Sequence, residues 1–258
     1  MRILLVGDIV GSVGRTAFAQ VATRLRQGGE VDFVVANAEN AAGGRGLTVA
    51  LAEEILSAGA DVITLGDHTW DQKELAGWIG TDERVIRPLN FAPGVPGKGY
   101  VTLDTKWGGL TVVNLVGRVF LSPNDCPFRA MDALLGGPEE LGRMKIVDLH
   151  AEATSEKIVL GRYLDGRVSC VVGTHTHVQT SDEAVLPKGT AYITDLGMTG
   201  AADSAIGRDL ESITAKFLTG MPAKFKLAKN GVVVEGVIVE IDESSGRAKS
   251  IRRLRERL

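Results

Sequence analysis

Cysteine is nearly absent from this chain: its 258 residues include two, Cys126 and Cys170. Neither belongs to a CxxC pair, so a disulfide framework and a Cys-rich zinc site are both excluded. Cys170, inside Ser169-Cys170-Val171-Val172, reads as a buried and inert thiol. Long apolar runs are missing too. Nothing approaches the roughly 20 residues of a membrane helix, so no membrane partner is expected. The opening Met1-Arg2-Ile3-Leu4-Leu5-Val6-Gly7-Asp8 is too short and too soon acidic for a signal peptide, and a cytoplasmic protein is expected. Charge of one sign is also lacking. The formal net charge is −3 and the only basic run is a short Arg-rich tail, which argues against long nucleic acid as a partner. A small phosphorylated substrate stays open, because metal ions can supply positive charge locally. With 44% hydrophobic and 24% charged residues the chain is globular, and no Pro-rich linker or low-complexity segment divides it. One domain over 1–258 is expected. Oligomeric state is not legible, and a homo-oligomer stays open.

Short β-branched runs alternate with helical patterns. Ile3–Val6, Phe33–Ala36 and Val62–Leu65 read as buried strands, with helices over Thr16–Arg26, Leu47–Ala58 and Gln72–Ile79. That rhythm predicts a mainly parallel α/β sheet. Tyr100–Leu103 and Leu110–Val113 flank a Lys-Trp-Gly-Gly turn and predict a hairpin. Ile146–Leu149, Cys170–Val172 and Ala191–Thr194 predict further strands, with helices over Phe128–Leu135 and Ser155–Leu164. Lys224–Leu227, Gly231–Ile241 and Ala248–Leu254 predict antiparallel strands.

The informative feature is where the unusual polar residues fall. Asp8 follows the first strand, Asn37, Glu39 and Asn40 the second, and Asp67 and His68 the third. His150 follows the strand at Ile146, and His175 and His177 follow the strand at Cys170. Loops at the carboxyl ends of parallel strands form the ligand crevice of α/β sheets. A lone Asp or Asn in such a place is ordinarily a turn residue or helix cap, and a lone His a satisfied polar residue. The histidines change that weighing, because the chain has four and each lies just past a buried strand. In an extended backbone His175 and His177, two residues apart, would project to the same face and chelate one ion or bridge two. Imidazole, carboxylate and amide donors without thiolate suit Mn, Fe or Zn. The donors are too many for one transition metal, so two ions are expected, with Glu39 as the natural bridge.

Gly7-Asp8, Asn37-Ala38-Glu39-Asn40, Gly66-Asp67-His68-Thr69-Trp70-Asp71, His150 and Gly173-Thr174-His175-Thr176-His177 together resemble the calcineurin-like metallophosphoesterases. More narrowly, the chain resembles the bacterial YmdB-type phosphodiesterases. That likeness extends through Asn114–Phe120, Asn124–Arg129 and Asp195–Gly200, nearly the whole length. The resemblance implies a four-layer α/β/β/α sandwich of the metallo-dependent phosphatase type. It implies Asp8, Asn40 and His177 on one metal, position 67, His150 and His175 on the other, and Glu39 between them. It implies that His68 is no ligand but the proton donor to the leaving group. It also implies phosphodiester hydrolysis, with cyclic nucleotides, notably 2′,3′-cyclic ones, as substrates. One position departs from the family pattern of Gly-Asn-His, since the middle residue here is Asp67.

The expected reaction is attack on phosphorus by a hydroxide held between two divalent or mixed-valence ions, while His68 protonates the departing oxygen. Arg118 and Arg129 are candidates for phosphate contact, with a salt bridge or exposed helix face as the competing reading. The rival functions are a phosphomonoesterase acting on a small metabolite and a low-turnover regulatory protein that binds a nucleotide. An amidohydrolase barrel also uses His-x-His, but at the end of its first strand, whereas here the pair comes late. Two transition-metal ions per chain are predicted in protein purified without chelators. Elemental analysis showing one ion or none in fully active protein contradicts this.

Overall fold

The computed structural model describes residues 1–224 and 226–258; the expected strand Lys224–Leu227 includes position 225 and lies partly outside them. The first strand shows how the layers arise. Side chains alternate across a strand, and in β1 (Arg2–Val6) Leu4 and Val6 face one core while Ile3 and Leu5 face another. The same division recurs in β3 (Phe33–Asn37), where Val34 and Ala36 oppose Phe33 and Val35. A strand buried on both faces reads as a continuous apolar run, which is why these segments are visible in the sequence.

The chain builds one sheet, then the other, then returns to the first. β1, β2 (Asp8–Ile9), β3 (Phe33–Asn37), β4 (Val62–Thr64) and β5 (Val85–Ile86) begin the first sheet. β6 (Tyr100–Thr105), β7 (Gly108–Val116), β8 (Met144–His150), β9 (Cys170–Thr174), β10 (Ala184–Val185) and β11 (Ala191–Ile193) form the second. β12 (Met198–Ala201), β13 (Val232–Ile241) and β14 (Ala248–Arg257) complete the first. Its order is β2-β12-β13-β1-β3-β4-β5, with β14 on β13. The second runs β10-β11-β9-β8-β7-β6. β1, β3, β4 and β5 are parallel, as are β7, β8, β9 and β11, whereas β13 joins β1 antiparallel.

Helices α1 (Gly11–Gln27) and α2 (Val49–Ser57) cover the outer face of the first sheet through Phe18, Val21, Leu25 and Ile55. After the four-residue α3 (Leu75–Trp78), α4 (Pro127–Gly136) and α5 (Thr154–Tyr163) cover the second sheet through Met131, Leu134 and Leu160. Between the sheets lies an apolar layer of Ile3, Leu5, Val35, Val112, Ile146 and Val172. The layers are α/β/β/α, as expected.

Several local expectations are corrected. The helix expected over Gln72–Ile79 contracts to α3, because Thr69 and Asp71 bond back to Gly66 and His68 in tight turns. The hairpin turn is shorter than expected: Gly108 and Gly109 pair with Thr105 and Asp104, leaving Lys106-Trp107 at the tip. The helix expected over Thr16–Arg26 starts earlier, at Gly11. β12 and α6 (Leu210–Thr219) add to the expected elements. For α6 the sequence does hold signals, since the Asp209 side chain caps Ser212 N–H and Gly220 ends the helix in a left-handed conformation.

Among the described residues no helix is long and apolar enough to cross a membrane. Phe18 is fully buried where α1 meets the first sheet, so Phe18→Ala is expected to cost about 3–5 kcal/mol. Ile158→Ala, at an exposed position of α5, should stay within about 0.5 kcal/mol. Urea unfolding at constant metal loading checks the pair.

Candidate metal centre and active site

The carboxyl ends of strands from both sheets meet at one place. Asp8 opens β2 just past β1, β3 ends in Asn37 with Glu39 and Asn40 following it, and Asp67 and His68 follow β4. From the second sheet, His150 is the last residue of β8, one place inside the strand, and His175 and His177 follow β9. The polar residues expected to converge do so.

Four of them form a tight group. His150 Nε2 lies 3.1 Å from Asp67 Oδ1, 3.1 Å from Glu39 Oε1 and 3.0 Å from His175 Nδ1. His175 Nδ1 is 3.3 Å from Asp67 Oδ1, and one donor atom from each residue falls within 4.8 Å of all the others. A single proton on His150 Nε2 cannot satisfy three partners at such distances. A cation can, since ligands about 2.0–2.2 Å from an ion lie a little over 3 Å from one another. The donor set therefore fits a divalent metal. A second group adjoins it: His177 Nε2 is 3.3 Å from the Asn40 amide and 3.6 Å from Asp8 Oδ1. That amide nitrogen is also 3.0 Å from Glu39 Oε1, and turning the amide over would present its oxygen at the same point. Glu39 thus stands between the two groups.

Each of these three imidazoles has its other nitrogen anchored. His150 Nδ1 meets Thr174 Oγ1 at 2.9 Å, His175 Nε2 meets Glu152 Oε2 at 3.1 Å, and His177 Nδ1 donates to the Ile206 carbonyl at 3.1 Å. Such outer partners fix the ring and its tautomer in metal sites. Thr174 in turn donates to Asp148 Oδ1 at 2.8 Å. Glycine at 66 is required by close approach, since a Cβ there would stand 2.3 Å from both Glu39 and His150.

The electrostatics agree with a place for cations. Burial works against the His150 imidazolium, yet Glu39, Asp67 and Asp8 outweigh it and hold the ring protonated well above its ordinary range. Burial likewise opposes charge on His177, but Asp8 raises it. Burial would raise Asp8 and Asp67, yet their imidazole neighbours hold both below the usual carboxylate range. Asp148 behaves differently: burial pushes it up to about 6, with Thr64, His150 and Thr174 only partly opposing.

The expectation of an extended His-x-His is corrected. His175 has φ 96° and His177 φ 62°, both left-handed, and non-glycine residues there are typically held by their surroundings. The holding groups are carboxylates. His175 N–H donates to Asp8 Oδ2 at 3.1 Å. Thr176 donates through N–H and hydroxyl to Asp195 Oδ2 at 3.2 and 2.6 Å, and the buried Lys157 ammonium pairs with that oxygen at 2.6 Å. The two rings therefore face different donor groups instead of sharing one face.

His68 stands apart from the tight group. Its N–H donates to Glu39 Oε2 at 3.1 Å, and its ring Nδ1 lies 3.1 Å from Asp71 Oδ2. It lines a cleft of about 250 Å³ with Glu39, Asn40, His175, His177 and Arg208. Arg118 and Arg129 line neither this cleft nor the larger one beside Asp67, and Arg208 is the guanidinium that does. Sequence reasoning misses Arg208, Glu152, Asp148 and Lys157, and notes Asp195 only within the motif Asp195–Gly200. Their strand-end neighbours carry a positional signal, whereas these lie in helices, loops and strand interiors.

A protein family described as YmdB-like matches residues 4–254. The 2′,3′-cyclic-nucleotide 2′-phosphodiesterase of Bacillus subtilis is 46% identical over 254 residues, spanning 98% of this chain and 96% of that protein. The crystal structure of a novel phosphatase from Mycoplasma pneumoniae matches with TM-score 0.94 at 32% identity, covering 100% of this chain and 93% of that one. A hypothetical protein from Thermus thermophilus matches with TM-score 0.93 at 43% identity, covering 100% of this chain and 99% of that one.

Asp67 offers a direct test of the donor set. Asp67→Asn removes one negative charge with almost no change of shape, so cations are expected to be held less tightly, and water they polarise to ionise at lower pH. The prediction is faster metal loss to a chelator and an acid limb of the pH–rate profile moved to lower pH. Equal metal retention and an unmoved profile would leave Asp67 as a turn residue beside the centre.

Proposed function

The chain belongs to the YmdB-like family, and from that premise we propose that it hydrolyses phosphodiesters at a two-cation centre, with cyclic nucleotides, 2′,3′-cyclic ones in particular, as substrates. It is a phosphoric ester hydrolase and binds metal. The observation that carries the reading is the group of Glu39, Asp67, His150 and His175, whose facing atoms are closer than their own protons can reconcile. In this reading the same four hold one cation, Asp8, Asn40 and His177 hold the second, and Glu39 bridges. Iron or manganese suits these oxygen and imidazole donors, and zinc is compatible. Bound cations would acidify water and neutralise the phosphoryl oxygens.

The chain's own residues supply the rest. His68 lines the cleft without joining the donor group, and its Nδ1 stands 3.1 Å from Asp71 Oδ2, so in this reading Nε2 delivers a proton to the departing oxygen. Arg208 lines the same cleft and is placed to meet a phosphate oxygen. Absence of a membrane-crossing helix among the described residues is compatible with the cytoplasm as its location. Self-association is supported by α6, which exposes Phe217 and Leu218.

The assay compares 2′,3′-cyclic AMP, bis-p-nitrophenyl phosphate and p-nitrophenyl phosphate with metal-loaded protein. Diesters are expected to be cleaved faster than the monoester. Monoester cleavage alone, or nucleotide binding without turnover, overturns the proposal. His68→Ala should keep its metals and lose roughly 10²–10⁴ in turnover of the cyclic nucleotide. The loss should be smaller for the p-nitrophenolate leaving group, which needs little protonation. Equal losses on both count against His68 as the acid.

A further inference from the structure

A second cleft, of about 500 Å³, opens on the far side of Asp67. Trp70 and Phe91 form its apolar wall, with Val95 beside them, and Ser122 and Asn124 line it too. Its size is that of a small-ligand site. Asp67 lines this cleft and the adjacent His68 lines the one holding the candidate metal donors, so the two clefts adjoin at neighbouring residues.

The cleft is built rigidly. Asn90, buried, joins its two walls: its amide donates to the carbonyls of Val116 and Asp125 at 2.7 and 2.8 Å, and its Oδ1 accepts Val116 N–H at 2.9 Å. Asp125 N–H returns to the Asn90 carbonyl at 3.0 Å. The Pro- and Gly-rich loop carrying Phe91 wraps the Arg87 guanidinium, which donates to the carbonyls of Pro88, Pro96 and Gly97 at 2.8, 3.2 and 3.1 Å. A surface loop needs no such bracing to close a fold. Bracing of this kind fits a loop that must present a side chain in one place.

We infer that this cleft binds the nucleobase of the substrate, with the base stacked on the Trp70–Phe91 pair and its phosphate beside His68. The inference rests on the phosphodiesterase reading for the phosphate end and on the cleft itself for the base. The ring centroids are 6.0 Å apart with planes at 38°. A third ring between them would need about 7 Å, twice the van der Waals contact. The base therefore lies against the pair and not within it. Stacking is open to every base because each has a π-face. Polar atoms of Ser122 and Asn124 meet its edge.

Two measurements test this. The first is the ratio of kcat/KM for adenosine 2′,3′-cyclic phosphate to that for base-free ribose 2,3-cyclic phosphate. Phe91→Ala should lower this ratio roughly 5–100-fold, mainly through KM for the nucleotide, and Phe91→Tyr should restore it. The second needs no turnover: adenosine should quench Trp70 emission in a Trp78→Phe/Trp107→Phe background, saturably, and Phe91→Ala should abolish the quenching. An unchanged ratio in Phe91→Ala, or no quenching, overturns the inference. If the wild type cleaves no diester but adenosine still quenches Trp70, the phosphodiesterase reading fails while the base site stands.

Discussion

Buried carboxylates must be compensated, and in this protein the compensation takes several forms. A carboxylate taken out of water is costly unless it is paired, hydrogen-bonded or neutralised by a proton. Asp195 has the Lys157 ammonium, Thr176 and the Gly197 N–H. Asp148 has the hydroxyls of Thr64 and Thr174, and burial lifts its titration to about 6. Asp8 accepts from the His175 backbone N–H and Glu39 from the His68 backbone N–H, and these two and the partly exposed Asp67 also face the imidazoles of His150, His175 and His177. Those rings can neutralise them only by taking up protons that the geometry crowds together. The same field that raises His150 will hold a cation. Metal binding is therefore the resolution of an electrostatic problem that the fold creates.

The same groups fasten the two sheets together. Thr64 and Asn37, from the first sheet, donate to Asp148 of the second at 2.5 and 3.4 Å. Asn114 of β7 accepts from Leu65 N–H at 3.1 Å. Away from this place the layer between the sheets is apolar, and polar links recur at one edge, where Ala248 N–H of β14 donates to the Gly189 carbonyl beside β10 and β11 at 2.8 Å. Directional bonds at the carboxyl ends fix the register. The donors of β3 and β4 are thereby held opposite those of β8 and β9, which a metal centre shared between two sheets requires.

How much of this is legible in the sequence follows from the same physics. Ile3–Val6, Phe33–Ala36 and Ile146–Leu149 are visible because strands buried on both faces must be apolar throughout. Asp8, Glu39, His68 and His150 are visible because a polar residue ending such a run is out of character. The backbone of His175 and His177 is not visible, because its left-handed turns are imposed by Asp8 and Asp195, 167 and 19 residues away from their hydrogen-bond partners. Nor can Arg118 and Arg129 be told from Arg208, since a guanidinium's role depends on which loop folds over the site. The Trp70–Phe91 cleft joins a strand-end turn to a Pro-rich loop 21 residues on, and no periodicity connects them.

Asp67 joins the two halves of the site. Its Oδ1 lies among the imidazoles, while the residue as a whole borders the cleft of Trp70 and Phe91. Without cations a carboxylate at that junction would repel a phosphate arriving beside it, and with Glu39 and Asp8 nearby the repulsion would be severe. Two cations held by these donors would outweigh the three carboxylates and draw phosphate in. The wall of Trp70 and Phe91, by contrast, carries no charge to reverse and can receive a base in either state. Metal loading should thus govern the phosphate end of a nucleotide far more than its base. A carboxylate at this position, where an amide would carry no charge, makes that dependence steeper.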